Sequence, residues 1–143
     1  MATIKHLFHI AAPREQVYEA ISTIEGLSNW WTAQTSGDSS PGGIIEFRFG
    51  DMGPDFKVVG LKEHEEVKWE CTAGLYGWQD GIITISLDEN EGKTRVRFHH
   101  EGLEGPDDVV AAFNFSWGRY LTSLRQYCQT GVGAAFGSKQ YIP

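Results

Sequence analysis

The sequence predicts an α+β domain in which a curved six-stranded antiparallel sheet wraps around one long C-terminal helix. Three observations carry this. Six segments alternate apolar and polar residues with a period of two. One later segment places Val110, Phe113, Trp117, Leu121, Leu124 and Cys128 at three- and four-residue steps, which is a helical stripe. The strand-like segments fall mostly together, with an early helix pair between the first and the rest, as an antiparallel sheet covered by segregated helices requires.

The elements follow in order. Residues 3–10 read as a strand with Ile4, His6, Phe8 and Ile10 on one face. Ala12-Pro13 opens a helix, because proline suits a first turn where its missing N–H is no loss. Val17, Ala20, Ile21 and Ile24 carry that helix to Gly26, and Leu27, Trp30 and Trp31 suggest a second, short one. Residues 35–43 (TSGDSSPGG) read as loop. Strands are predicted at 45–49, 56–63, 67–71, 83–87 and 94–100. DMGPD, His64-Glu65, residues 74–80 and DENEGK supply the turns between them. Pro106-Asp107-Asp108 starts the long helix with acids at its positive end, and Gly131 and Gly133 end it. The domain spans 1–130, and 131–143 is expected to be a flexible tail.

Composition bounds the function. The chain has 143 residues, 41% hydrophobic and 22% charged, with a net charge of -7. An acidic balance argues against a nucleic-acid or anionic-membrane partner. No apolar run approaches the ~20 residues of a membrane span, and the start lacks the order of a signal peptide. Two cysteines, Cys71 and Cys128, make no disulfide framework and read as buried thiols. A cytoplasmic location is expected.

Motif chemistry is sparse. GVGAAFG follows a helix instead of joining strand to helix, so it is no dinucleotide loop. Asp88, Asn90 and Gly92 echo a calcium loop, but His99 stands where its bidentate Glu belongs. Asn114-Phe115-Ser116 is a sequon within a helix. HEEVK lacks the second histidine of a zinc motif, and His99 and His100 point to opposite strand faces. No metal or cofactor is therefore expected. His100 shares the inward parity of Val96 and Phe98, which makes it a candidate for ligand contact or proton transfer.

The aromatic fraction is the informative number: 13%, with five Trp, eight Phe and five Tyr. Trp30, Trp31, Phe47, Phe49, Trp69, Phe113 and Trp117 all fall on inward or interfacial positions. Core filling accounts for some of them. Several indoles converging between helix and sheet also suit an aromatic-lined cavity for a flat or greasy ligand. Ile85, Phe98 and Leu121 extend the candidate lining, and Tyr76 or His100 would orient the ligand. Entry is expected near residues 32–43 and 74–80.

Several ordered pieces resemble one family. IAAPREQVYEAI is similar to its strand-to-helix opening, LSNWWT to its Trp-Trp element and EEVKWEC to its aromatic strand. KTRVRFHHEGL resembles its strand ending in His-x-Gly-aliphatic, and WGRYLTSL its terminal helix. The family is the START-like (SRPBCC) superfamily with its helix-grip fold, and within it the homologues of the activator of heat-shock protein ATPase. The resemblance implies a deep apolar cavity for lipids, sterols or polyketide-like ligands. It places Trp30, Trp31, Trp69, His100 and Trp117 on motif positions. DMGPD and YGWQD match no piece of the pattern.

Three functions are compatible with these residues: a non-catalytic binder of a small hydrophobic molecule, a polyketide cyclase or dehydratase with His100 as acid–base group, and an interaction module acting on a heat-shock chaperone. The first is the leading expectation. An unpaired edge strand leaves room for a homodimer.

Overall fold

A computed structural model of the protein describes residues 1–143. Strand β1 (Ala2–Ile10) buries Ile4 and Ile10 and turns Leu7 to solvent. Helix α1 (Arg14–Ser22) follows Pro13 and turns Val17, Ala20 and Ile21 inward.

The helix predicted to run on to Gly26 breaks earlier. Thr23 is extended, and its hydroxyl accepts the Gly26 N–H at 3.0 Å, capping a second helix, α2 (Ile24–Trp30). A threonine hydroxyl offers the chain this alternative to helix continuation. Gly26 therefore lies inside α2, and its role is close approach. A Cβ there would stand 2.6 Å from both the Cα and the carbonyl oxygen of Ala20. The same carbonyl accepts the Trp30 indole N–H at 2.8 Å, which ties the two helices together.

The sheet has seven strands, not six. They are β1, β2 (Gln34–Gly37), β3 (Ile44–Arg48), β4 (Asp55–Lys62), β5 (Glu66–Ala73), β6 (Ile82–Asn90) and β7 (Lys93–Leu103). The order is β1-β7-β6-β5-β4-β3-β2, all antiparallel. The additional strand is β2, within the stretch expected to be loop. It has no apolar alternation of its own and is recruited by β3, with Thr35 opposite Phe47. At the other end, β3 stops at Arg48, so Phe49 lies beyond the strand and bridges Met52. The β6–β7 hairpin turns at Glu91-Gly92, both at positive φ, which matches the right-handed strand twist.

Helix α3 (Asp107–Thr130) covers the inner face of the curved sheet. Asp107 and Asp108 sit in its first turn, and Gly131 ends it in the left-handed region at φ 84°. Trp117, Leu121, Leu124 and Cys128 are buried along one stripe.

Residues 131–143 dock against the domain, contrary to the flexible tail expected. The Phe136 N–H donates to the Trp31 carbonyl, and the Ala33 N–H to the Phe136 carbonyl, both at 2.9 Å. The Ala134 N–H donates to Ser123 Oγ at 2.7 Å, and Ala135 is fully buried. The Phe136 ring packs 5.4 Å from Phe49. Main-chain bonds hold this segment, and they leave no periodic trace in side chains.

In an exposed helix, glycine to alanine stabilises by about 1 kcal/mol. At Gly26 the added methyl meets Ala20 backbone, so Gly26→Ala is expected to destabilise by about 2 kcal/mol, the usual scale of overpacking. Urea unfolding of the variant checks the sign, and a gain in stability would refute the close-approach role.

Candidate functional site

The space between sheet and α3 is largely filled by rings. Phe47, Phe56 and Trp69 lie at about 6 Å from one another, and Phe98 packs 4.4 Å from Trp117. Trp31 stands at the end of α2, with its ring 4.2 Å from Phe47 and 4.7 Å from Trp117. Close packing of this kind leaves no deep cavity.

What remains is a cleft of about 260 Å³ at the edge of this layer. Three parts of the chain line it. Trp31, Phe49 and Met52 come from the end of α2 and the turn after β3. Leu75 and Trp78 come from the connection between β5 and β6. Phe113, Ser116, Trp117 and Tyr120 come from α3 at steps of three, one and three, which put them on one helix face. Eight of the nine lining residues are apolar or aromatic, and none is charged. A larger surface groove of about 600 Å³ runs between β1 and the start of α3, but half its lining is polar, with Lys5, Glu104 and Asp107 among it.

The sequence-derived candidates divide accordingly. Trp31, Phe49, Phe113 and Trp117 line the cleft. Phe47, Trp69, Ile85, Phe98 and Leu121 are buried in the layer behind it. Trp30 is buried with its N–H on Ala20, away from the cleft. Tyr76 is 72% exposed and takes no part in the lining. Sequence reasoning missed Met52, Leu75, Trp78, Ser116 and Tyr120. Helical spacing from Phe113 could have found Ser116 and Tyr120. Met52, Leu75 and Trp78 lie in connections, where no period exists to read. They come from the DMGPD turn and from the 74–80 loop that carries YGWQD, and the 74–80 side of the expected entrance does border the cleft.

His100 is fully buried in β7, one ring behind the cleft. The Trp117 Nε1–H donates to its Nδ1 at 3.1 Å, and the Trp78 indole meets it at right angles, 4.5 Å between ring centres. Its Nε2 has no partner. Burial pushes the His100 pKa down to about 4, so the ring is neutral at physiological pH. Burial likewise pushes the Cys71 thiol up to about 11 and the Cys128 thiol up to about 12, so both are protonated at neutral pH. Burial, then the Tyr141 hydroxyl, raises Tyr120 above its ordinary value. No cluster of three or more His, Cys, Asp or Glu could hold a metal ion. No helix is long and apolar enough to cross a membrane.

The depressed His100 pKa makes stability depend on pH. An unfolded histidine, near 6.5, takes up a proton that the folded ring refuses until about pH 4. The contribution is therefore complete above about pH 6.5 and is lost as the pH falls toward 4. It amounts to at most about 3 kcal/mol. Urea midpoints measured across this window should fall with acid in the natural sequence. In His100→Gln that part of the slope should vanish, whatever the variant's stability at neutral pH; an unchanged slope would assign the effect to other groups.

Comparison with known proteins places this geometry in a family. The family model described as "Activator of Hsp90 ATPase homolog 1-like protein" matches residues 11–129. No curated protein matches the chain. Among solved structures, the chain is similar to the Aha1 dimer from Colwellia psychrerythraea at 35% identity and a TM-score of 0.84, over 93% of this chain and 100% of that one. A protein from Staphylococcus saprophyticus is 21% identical with a TM-score of 0.77, over 94% and 97% of the two chains. CalU16 from Micromonospora echinospora is 15% identical with a TM-score of 0.74, over 91% and 67%, and these last two likenesses bear on the fold alone. The match along most of the chain shows that this protein belongs to the Activator of Hsp90 ATPase homolog 1-like family, within the START-like superfamily and its helix-grip fold.

Proposed function

We propose that the protein binds a small, flat, apolar molecule in the cleft between α3 and the Trp78 connection, without chemistry on it. The observation that carries this is an open, uncharged space of about 260 Å³ faced by six aromatic side chains. Burial of ligand surface there is favourable by roughly 25 cal/mol per Å², and ring contacts add about 0.5–1.5 kcal/mol each. The volume lies below the roughly 300–1,000 Å³ of sites for drug-sized ligands. It therefore favours one or two fused rings over a sterol or a long acyl chain.

Catalysis is the weaker reading for a physical reason. A cyclase needs an acid–base group at the substrate. His100 lies behind Trp78 and Trp117 with Nδ1 already occupied, and the lining offers only the Ser116 and Tyr120 hydroxyls.

The protein is also proposed to form a homodimer through β1. One edge strand, β2, is only four residues long, and the chain just before it is taken up by the C-terminal segment, Thr32 bridging Phe136 and Ala33 bonding to it. The other edge is β1, nine residues long with no strand beyond it. An open edge of that length is a template for pairing, and two copies meeting about a two-fold axis satisfy it. The similar Colwellia protein is a dimer, which supports this reading.

Two measurements test these proposals. Tryptophan emission should change on titration with naphthalene-sized aromatics, and Phe113→Ala should weaken binding about tenfold, the worth of one ring contact; no response to any of them at millimolar concentration would overturn the ligand reading. Light scattering should give twice the 16.0 kDa chain mass. Leu7→Glu, which adds like charge on the outer face of β1, should shift the species to monomer. A monomer in the natural sequence would overturn the dimer.

A further inference from the structure

Two unpartnered N–H groups sit on facing rings, one in the wall of the cleft and one behind it. An indole nitrogen only donates, so the bond from Trp117 fixes His100 Nδ1 as an acceptor. A neutral imidazole then carries its proton on Nε2. That N–H is a fixed donor, buried, with no acceptor. Trp78 Nε1–H is a second buried donor without one. Unmet buried donors are rare in folded proteins and disfavour the arrangement that leaves them so. Beside His100 Nε2 the chain places Gly81, where a Cβ would stand 3.6 Å away, so that residue puts no side chain against the imidazole.

Trp78 touches the cleft on one side and His100 on the other. It is carried by a connection outside the strand ladder, where Gly74 and Gly77 hold φ at 128° and 82°, states that favour glycine, and the Glu104 N–H donates to the Gly77 carbonyl.

We propose that the Trp78 indole is a displaceable plug, and that His100 Nε2–H behind it receives the carbonyl oxygen of a neutral aryl ketone or quinone. This rests on the cleft being a ligand site and narrows its ligand class. The lining holds no cation, so a carboxylate or phenolate would be buried unpaired, at a high desolvation cost. A neutral carbonyl gains the hydrogen bond without burying charge. A single donor in a dry site discriminates between ligands with and without the acceptor more sharply than apolar shape does.

The test pairs acetonaphthone with ethylnaphthalene of the same substitution pattern, which differ at the carbonyl oxygen, titrated into the full isotope-labelled chain. Both should bind, the ketone about tenfold more tightly, as one hydrogen bond allows. Both should perturb the Trp78 Nε1–H resonance, since its ring is a wall of the cleft, and only the ketone should move the His100 Nε2–H resonance downfield. His100→Phe should abolish the preference, so that the variant binds ketone and hydrocarbon equally; where that variant fails to fold, the resonances of the natural sequence decide. Equal affinities, or an unmoved His100 resonance, would overturn the inference and leave the cleft standing as a ligand site. If neither compound binds, both readings fall.

Discussion

Trp31 is the side chain on which the arrangement turns. It closes α2, packs on Phe47 of β3 and Trp117 of α3, and reaches Phe49 and Phe56 at 5.9 and 6.4 Å. Its carbonyl accepts the N–H of Phe136, so the same residue anchors the C-terminal segment. Interiors pack to crystal density, and a ring in this place decides how far α3 stands from the sheet. On one side of it the aromatic layer is closed; on the other the cleft begins. Its neighbour Trp30 stacks beside it, 6.2 Å between ring centres, and donates its N–H to the Ala20 carbonyl of α1. The Trp-Trp pair thus fastens the helices with one ring and sets the width of the site with the next.

His100 is the polar counterpart inside that layer. Its bond with Trp117 links β7 to α3 through the one pair of polar atoms that meet there. Satisfied polar contacts in an apolar core select one packing among several. The same bond dictates the chemistry of the imidazole. With Nδ1 held by an indole and burial pushing the pKa down to about 4, the ring is a poor base and a fixed donor. Such a residue recognises better than it catalyses, and this favours binding over turnover in the cleft.

Much of this was legible in the residues. Val67, Trp69 and Cys71, then Ile83, Ile85 and Leu87, then Val96, Phe98 and His100 all face inward as their alternation indicates, and all are buried. The stripe of α3 is likewise where its spacing puts it. What escaped was set by main-chain bonding or by tertiary pairing. Strand β2 has no apolar pattern and exists because β3 lies beside it. The break at Thr23 depends on one hydroxyl. The 131–143 segment is held by backbone bonds to Ala33 and Trp31. In the site itself, parity gives direction and not depth. Phe47 and Phe49 are both inward by alternation, yet β3 ends between them, so one is core and the other lines the cleft.

Depth depends on the connections, and this bears on what the fold can bind. A sheet gripping a helix leaves an interior that rings fill to different degrees. Here Phe47, Phe56, Trp69 and Phe98 fill the central part, and Trp78 closes the side nearest His100. Of the five tryptophans, three are committed to walls that meet the cleft and two to the closed layer. The strands and α3 are held by the hydrogen-bonded ladder and the buried stripe. The 50–53 turn and the 74–81 connection lie outside that ladder, held by single bonds such as that from the Glu104 N–H to the Gly77 carbonyl. The width of the cleft is thus a property of Met52, Leu75 and Trp78 on those two connections. The aromatic excess acts as filler in the closed layer and as the wall of the cleft where the loops begin.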